Sequence, residues 1–197
     1  MKKIFLIFLI LITSSGINLF AFDFNKLFFS EYSISYSSII APSFLENNST
    51  GTLDTPYFSG KLGIDIFKWI NIYAGISFGF FVEQKNKQNH YSFVPVFGGI
   101  KLNLFPDFFI YPSFILEIGK SISNYHGNKF DPVLMTIKEY DIPWTGDYYN
   151  FGITANFVLN DIATLVLNIE RPWISHYEKD TNEIHIFKSG LGFKILY

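Results

Sequence analysis

Cysteine is absent from the 197 residues. That excludes a disulfide framework, a thiolate metal site and a lipid-bearing cysteine behind a leader peptide. The HExxH, GxxxxGK(S/T) and GxGxxG patterns are also missing, which leaves zinc-peptidase, P-loop and dinucleotide chemistry without a motif. Positive charge is not in excess. If Lys2 and Lys3 leave with a cleaved leader, Lys+Arg falls from 15 to 13 against 17 acidic residues, a net charge of −4. Nucleic acid is therefore excluded as an expected partner. Beyond the first dozen residues no apolar run approaches the roughly 20 needed for a membrane helix.

The one long apolar run, IFLIFLILI at 4–12, follows Met1-Lys2-Lys3 and precedes a polar stretch and the small-residue site Leu19-Phe20-Ala21. A charged start, a short apolar centre and a small residue at the cut describe a secretory signal peptide. Residues 1–21 are expected to be removed. The 176 residues from Phe22 to Tyr197 then form one domain.

That remainder is rich in aromatics, with 24 Phe and 12 Tyr in the whole chain. A soluble domain of this size buries fewer, whereas lipid-facing walls and interfacial girdles use them freely. A hydrophobic chain without membrane helices can satisfy its backbone in a bilayer only as a closed barrel.

Apolar residues recur with a period of two almost throughout, and eight segments are predicted, at 31–40, 57–67, 71–82, 91–104, 110–121, 149–159, 165–170 and 184–197. The clearest face pairings set Phe58, Leu62, Ile64 and Ile66 against Ser59, Lys61, Gly63 and Asp65. In the last segment Leu191, Phe193, Ile195 and Tyr197 alternate with Gly190, Gly192, Lys194 and Leu196. Short connections fall near Lys68, Pro106 and Asp161, and long polar ones at 44–55, 84–90, 122–147 and 172–183. Bacterial barrels have short periplasmic turns and longer external loops, so both termini are expected in the periplasm. Pro95 and Pro112 lie inside predicted strands, where a missing N–H calls for a bulge or a shorter strand.

The terminal strand, the runs YAGISFGFF (73–81) and FGGIKLN (97–103) and the alternation of short and long connections together resemble the small eight-stranded outer-membrane barrels, the OmpA/OmpX-like group. The resemblance spans residues 31–197. It implies an all-β, antiparallel up-and-down transmembrane barrel in the cell outer membrane, in contact with membrane lipids and lipopolysaccharide or its equivalent. It also implies a monomer inserted by the barrel-assembly machinery through the closing strand of Leu191, Phe193, Ile195 and Tyr197. It carries over no active residue. A soluble lipocalin-like barrel is the alternative fold, disfavoured because its outer face would be polar.

On the inner face of such a barrel stand Glu31, Lys61, Asp65, Lys101, Glu117, Glu170, Lys188 and Lys194, four charges of each sign. Eight strands leave a bore that side chains can fill, so these groups are expected to form a structural, charge-balanced network. Glu170 and Lys188 are on consecutive strands and can face each other across the last hairpin.

Histidines 90, 126, 176 and 185 fall at the outer end, and His126 has Ser123 and Asp131 near it in sequence. Outer-membrane acyl-transfer enzymes such as lipid A palmitoyltransferases and deacylases use His with Ser, Asp or Glu. No local signature of either is present, and solvated loop histidines are the simpler reading. The loop carboxylates Asp131, Glu139, Asp141 and Asp147 fit no calcium-loop spacing, so neither a metal nor another cofactor is expected. Trp69, Trp144 and Trp173 read as interfacial anchors. The expected role is structural or surface-interacting, with an extracellular ligand at the loops. A lipid A-modifying enzyme and a narrow pore are the alternatives.

Overall fold

The computed structural model describes residues 27–40, 53–82, 90–131, 136–176 and 183–197. The expected signal peptide, residues 1–21, lies outside them. The period-two segments become eight strands: β1 (Phe28–Ile40), β2 (Leu53–Phe67), β3 (Ile70–Val82), β4 (His90–Asn103), β5 (Ile110–Asp131), β6 (Thr136–Val158), β7 (Ala163–His176) and β8 (Glu183–Leu196). Each pairs antiparallel with its successor, and β8 pairs with β1, so the sheet closes into a barrel.

Successive side chains on a strand point to opposite faces, and here the two faces differ in chemistry. Outward stand Tyr32, Ile34, Leu62, Ile76, Val96, Ile118, Ile153, Ile169 and Leu191, all exposed. Leu62 keeps 65% and Ile118 64% of its surface open. An apolar belt around every strand has hydrocarbon, not water, as its natural solvent. Every strand has 13 residues or more. That exceeds the roughly 9–11 that a tilted transmembrane strand needs.

The strands are staggered. Stepping across the ladder from Ser30 leads through Leu62, Ala74, Gly98, Ile118, Tyr149, Trp173 and His185 back to β1 at Ile40, a displacement of ten residues. With 3.3 Å per residue and about 4.7 Å between strands, that stagger corresponds to a tilt of roughly 40°.

Three tight connections share one end with both described termini. Lys68 and Trp69 join β2 to β3, next to a register shift between Asp65 and Phe67. Between β4 and β5, the Phe108 N–H bonds the Phe105 carbonyl at 3.1 Å, and Phe105 takes a left-handed φ of 55°. Between β6 and β7, the Asn160 side-chain oxygen accepts from the N–H groups of Ile162 and Ala163 at 2.9 and 2.8 Å. Asparagine favours turns through this kind of local bond.

At the opposite end the strands run further than the apolar pattern indicates. The expected connection 122–147 is strand for most of its length, since β5 and β6 have 22 and 23 residues and stay paired from Ile110↔Phe157 to Asp131↔Thr136. The β4 ladder stops at His126 and the β7 ladder at Gly146, so beyond these points β5 and β6 continue as a two-stranded ribbon. The same holds on a smaller scale for β7, which reaches His176 inside the expected connection 172–183. Once both faces leave lipid and core, selection for apolar alternation ends, although the hydrogen-bonded ladder continues.

Neither proline produces the expected bulge. Pro95 stays in register with Ser121 on β5. On its other side the β3–β4 ladder is open between Ile76↔Val96 and Gly79↔Phe93, with the same register before and after. Pro112 stands just past the last β4–β5 pair, Asn103↔Ser113, and its carbonyl accepts from Leu104 at 2.8 Å. Its missing N–H costs only the bond reciprocal to this one, at the last step of the ladder before the turn.

Candidate functional site

The inner wall carries the chemistry. Its charged residues are buried almost completely except Asp65, whose side chain keeps 20% of its surface open: Glu31, Lys61, Lys101, Glu117 and Lys194 are 4% exposed or less, Glu170 2% and Lys188 0%. Charges so enclosed persist only when paired and hydrogen-bonded, and the stagger of the barrel brings partners together from distant strands.

Nearest the tight turns, the Lys194 ammonium lies 3.0 Å from both oxygens of Asp65 and 4.2 Å from the centre of the Phe29 ring. Asn71 donates to Asp65 at 2.7 Å, and a chain of amides and hydroxyls follows. Asn103 donates to Asn71 at 3.2 Å, Ser113 to Asn103 at 2.8 Å and Asn156 to Ser113 at 2.7 Å.

Midway along the bore, Glu31 on β1 takes Lys101 of β4 at 3.0 Å and Lys61 of β2 at 3.7 Å. Glu117 on β5 is the hub. It receives Lys61 at 2.7 Å, Tyr73 at 3.0 Å, Tyr148 at 3.1 Å and Asn150 at 2.7 Å. Asn150 also donates to Glu170, which meets Lys188 at 2.7 Å from the directly opposed position on β8. Like Lys194, Lys61 and Lys188 are further held over aromatic faces, Lys61 4.9 Å from the Tyr73 ring and Lys188 4.4 Å from that of Tyr57.

Toward the long connections the filling becomes mainly aromatic and aliphatic, with the buried hydroxyls of Ser37, Ser121 and Ser123 among it. Tyr57, Phe81, Tyr91, Phe93, Tyr148, Ile174, Ile184 and Ile186 are 2% exposed or less. Phe93 lies at the centre, stacked on Phe81 at 5.5 Å between ring centres and on Tyr91 at 5.7 Å, with Tyr57 tilted against it at 5.7 Å. Glycine makes room for this. A β-carbon on Gly79 would stand 2.4 Å from the Phe93 ring, and one on Gly99 2.6 Å from that of Tyr73. The bore is thus an ionic layer capped by an aromatic one. Sequence reasoning passed over most of this cap. Tyr57, Phe81, Tyr91 and Phe93 follow the same period of two as their polar neighbours on the inner wall, and counting positions along each strand finds them.

The outer-end histidines do not gather at one point. His90 and His126 oppose each other on β4 and β5 with rings stacked 4.8 Å apart. His185 is on β8, opposite Trp173, and the side chain of His176 is outside the described residues. Ser123 is buried in the bore, and His126, three positions on, belongs to the opposite face of β5. The acyl-transfer arrangement of His126 with Ser123 is therefore not assembled. Of the loop carboxylates, Asp147 meets Lys120 on the outer wall at 2.5 Å, and the side chains of Asp131, Glu139 and Asp141 are not described. Trp173 stacks on Tyr149 at 5.3 Å on the outer wall, the place of an interfacial anchor. Trp144's side chain is undescribed, and the Trp69 carbonyl caps Asn103 N–H at 2.8 Å in the turn region.

No protein-family model and no curated protein sequence matches the chain. Solved structures do. Neisserial surface protein A superposes with a TM-score of 0.62 over 86% of this chain and 97% of its own, at 8% identity. Ail, the attachment invasion locus protein of Yersinia pestis, superposes with a TM-score of 0.52 over 87% of this chain and 99% of its own, at 10% identity. At such identities the likeness is one of fold. The fold is that of the small eight-stranded outer-membrane barrels, the OmpA/OmpX-like group. Joined to an apolar belt that only lipid can cover, it makes the chain a membrane-spanning β-barrel.

Proposed function

We propose that the barrel is a closed, non-conducting scaffold that anchors an external surface for contact with other molecules. The observation that carries this reading is the filled bore, in which paired charges and stacked rings occupy the space a pore or an inner active site would need. Among the described residues the longest excursion from the barrel is the β5–β6 ribbon, and recognition belongs on such elements while the strands supply the scaffold. One of the proteins sharing the fold is named for attachment and invasion, a role that fits a filled barrel with a long external hairpin.

Within this reading the eight inner charges, Glu31, Lys61, Asp65, Lys101, Glu117, Glu170, Lys188 and Lys194, are structural. The leader at 1–21 is removed, both termini face the periplasm, and the assembly machinery reads the strand of Leu191, Phe193, Ile195 and Tyr197. The protein works as a monomer.

Purified protein in planar bilayers is the test of the scaffold. No steady conductance is expected, and cells expressing it should keep an unchanged lipid A mass spectrum. Steady currents would instead establish a pore, and a shift in lipid A acylation an enzyme. Replacing 127–140 by a short turn should abolish adhesion of expressing cells to host-cell surfaces while the barrel stays heat-modifiable. Adhesion unaffected by that replacement would remove the ribbon from the contact.

A further inference from the structure

We propose that His90 and His126 form a binding site for a divalent late transition-metal ion on the outer wall of the barrel, just beyond the apolar belt. The two residues are direct cross-strand partners in the β4–β5 ladder. Their rings lie 4.8 Å apart between centres at 25°. Directly opposed β-carbons are about 5 Å apart, a spacing from which two imidazoles can share one ion at the usual Zn–N distance of about 2.0–2.1 Å.

Phe80 on β3 packs against the His90 ring at 5.3 Å between centres; to share an ion the two stacked imidazoles turn so that one nitrogen of each points at it, exchanging ring contacts for metal–nitrogen bonds. Both histidines are partly exposed, so an ion can reach them from the external solution. The register extends the same row onto a third strand, where Asp141 of β6 is the partner of His126. Two imidazole-bearing positions and one carboxylate-bearing position thus stand side by side on three adjacent strands.

Ligand type sets the class of ion. Imidazole suits copper, nickel and zinc, whereas calcium and magnesium require oxygen ligands. Two histidines fixed by a rigid sheet should take Cu²⁺ most tightly, following the general affinity order for divalent ions, with water filling the remaining positions.

The test uses the refolded full barrel in detergent micelles, stripped with a chelator and titrated with Cu²⁺ alone. Calorimetry should give one equivalent bound, and the copper electron paramagnetic resonance spectrum should carry splitting from two imidazole nitrogens. Ni²⁺ and Zn²⁺ should compete, and Ca²⁺ should not. His90→Ala and His126→Ala should each weaken copper binding at least tenfold while the barrel remains heat-modifiable, and His185→Ala should leave binding unchanged. Copper bound equally tightly by the double variant at 90 and 126, a spectrum without imidazole nitrogen, or an equal loss in His185→Ala would each overturn the assignment.

Discussion

The two halves of the bore solve the same problem with opposite chemistry. Toward the tight turns and through the middle, the wall offers charge, and stability there depends on each group finding a partner of opposite sign. Toward the long connections it offers rings and branched aliphatics, which need only fit. An error in the first half leaves a desolvated charge, and an error in the second leaves a cavity. The two halves also share one hinge residue: Tyr148 packs against Phe97 at 5.3 Å in the aromatic layer while its hydroxyl donates to Glu117 in the ionic one.

The largest effect is expected where the ionic half converges. Glu117→Ala removes the partner of Lys61 and the acceptor for Tyr73, Tyr148 and Asn150 in one step. Breaking a buried pair costs about 3–5 kcal/mol, and the abandoned donors place this variant at the upper end, about 5 kcal/mol. Equilibrium urea unfolding in lipid vesicles measures it. A loss below about 2 kcal/mol would mean that Lys61 finds relief elsewhere, for which Glu31 at 3.7 Å is the nearest source.

The hub also marks how far the bore can be read from sequence. Strict alternation assigns Lys61 and Glu117 to one face of their own strands. Their contact joins β2 to β5 and depends on a stagger of ten residues that no local pattern encodes. The pairs that sequence order can suggest are those on consecutive strands, Glu170 with Lys188 and Glu31 with Lys61. The aromatic half is obscured for another reason. In YSFVPVF (91–97) both faces are apolar, so the alternation that separates inside from outside disappears. The β5–β6 ribbon is hidden by the converse, since NYHGNKFD (124–131) is mixed polar on both faces and reads as loop.

Phe93→Ala probes the other half. Deleting this ring removes its contacts with Tyr57, Phe81 and Tyr91. Phe→Ala changes in cores cost about 3–5 kcal/mol, and about 3–4 is expected here. The informative measurement is paired: urea unfolding for the stability loss and single-channel recording for conduction. If the halves seal independently, the variant is destabilised but still does not conduct, because the ionic layer remains closed. Steady current through Phe93→Ala would make the aromatic layer the sole seal.

Glu170 and Lys188 allow the ionic rule to be tested as a pair. Glu170→Gln alone strands the Lys188 ammonium, which is wholly buried, and should cost about 3 kcal/mol. Glu170→Gln combined with Lys188→Met should cost less than the single change, since no unpaired charge remains. Losses that simply add in urea unfolding would show that the two charges, 2.7 Å apart, are stabilised by their other neighbours and not by each other.

The smallest effect is expected from a pair of the same chemistry outside the wall. Lys120 and Asp147 stand opposite each other on β5 and β6, and their charged atoms are 2.5 Å apart, closer than Lys188 and Glu170. Proximity alone would rank the outer pair higher. Its lysine, however, keeps 65% of its side-chain surface open and its aspartate 29%, so either charge left alone recovers solvation from water or headgroups. Exposed pairs are worth roughly 0–1 kcal/mol, and Asp147→Asn should cost no more than about 0.5 kcal/mol after screening, falling further in high salt. The outer single variant should therefore fall well below Glu170→Gln in the same unfolding series. If the two lost equal stability, desolvation would not be what separates the bore from the surface, and the ionic half would be held by its distances alone.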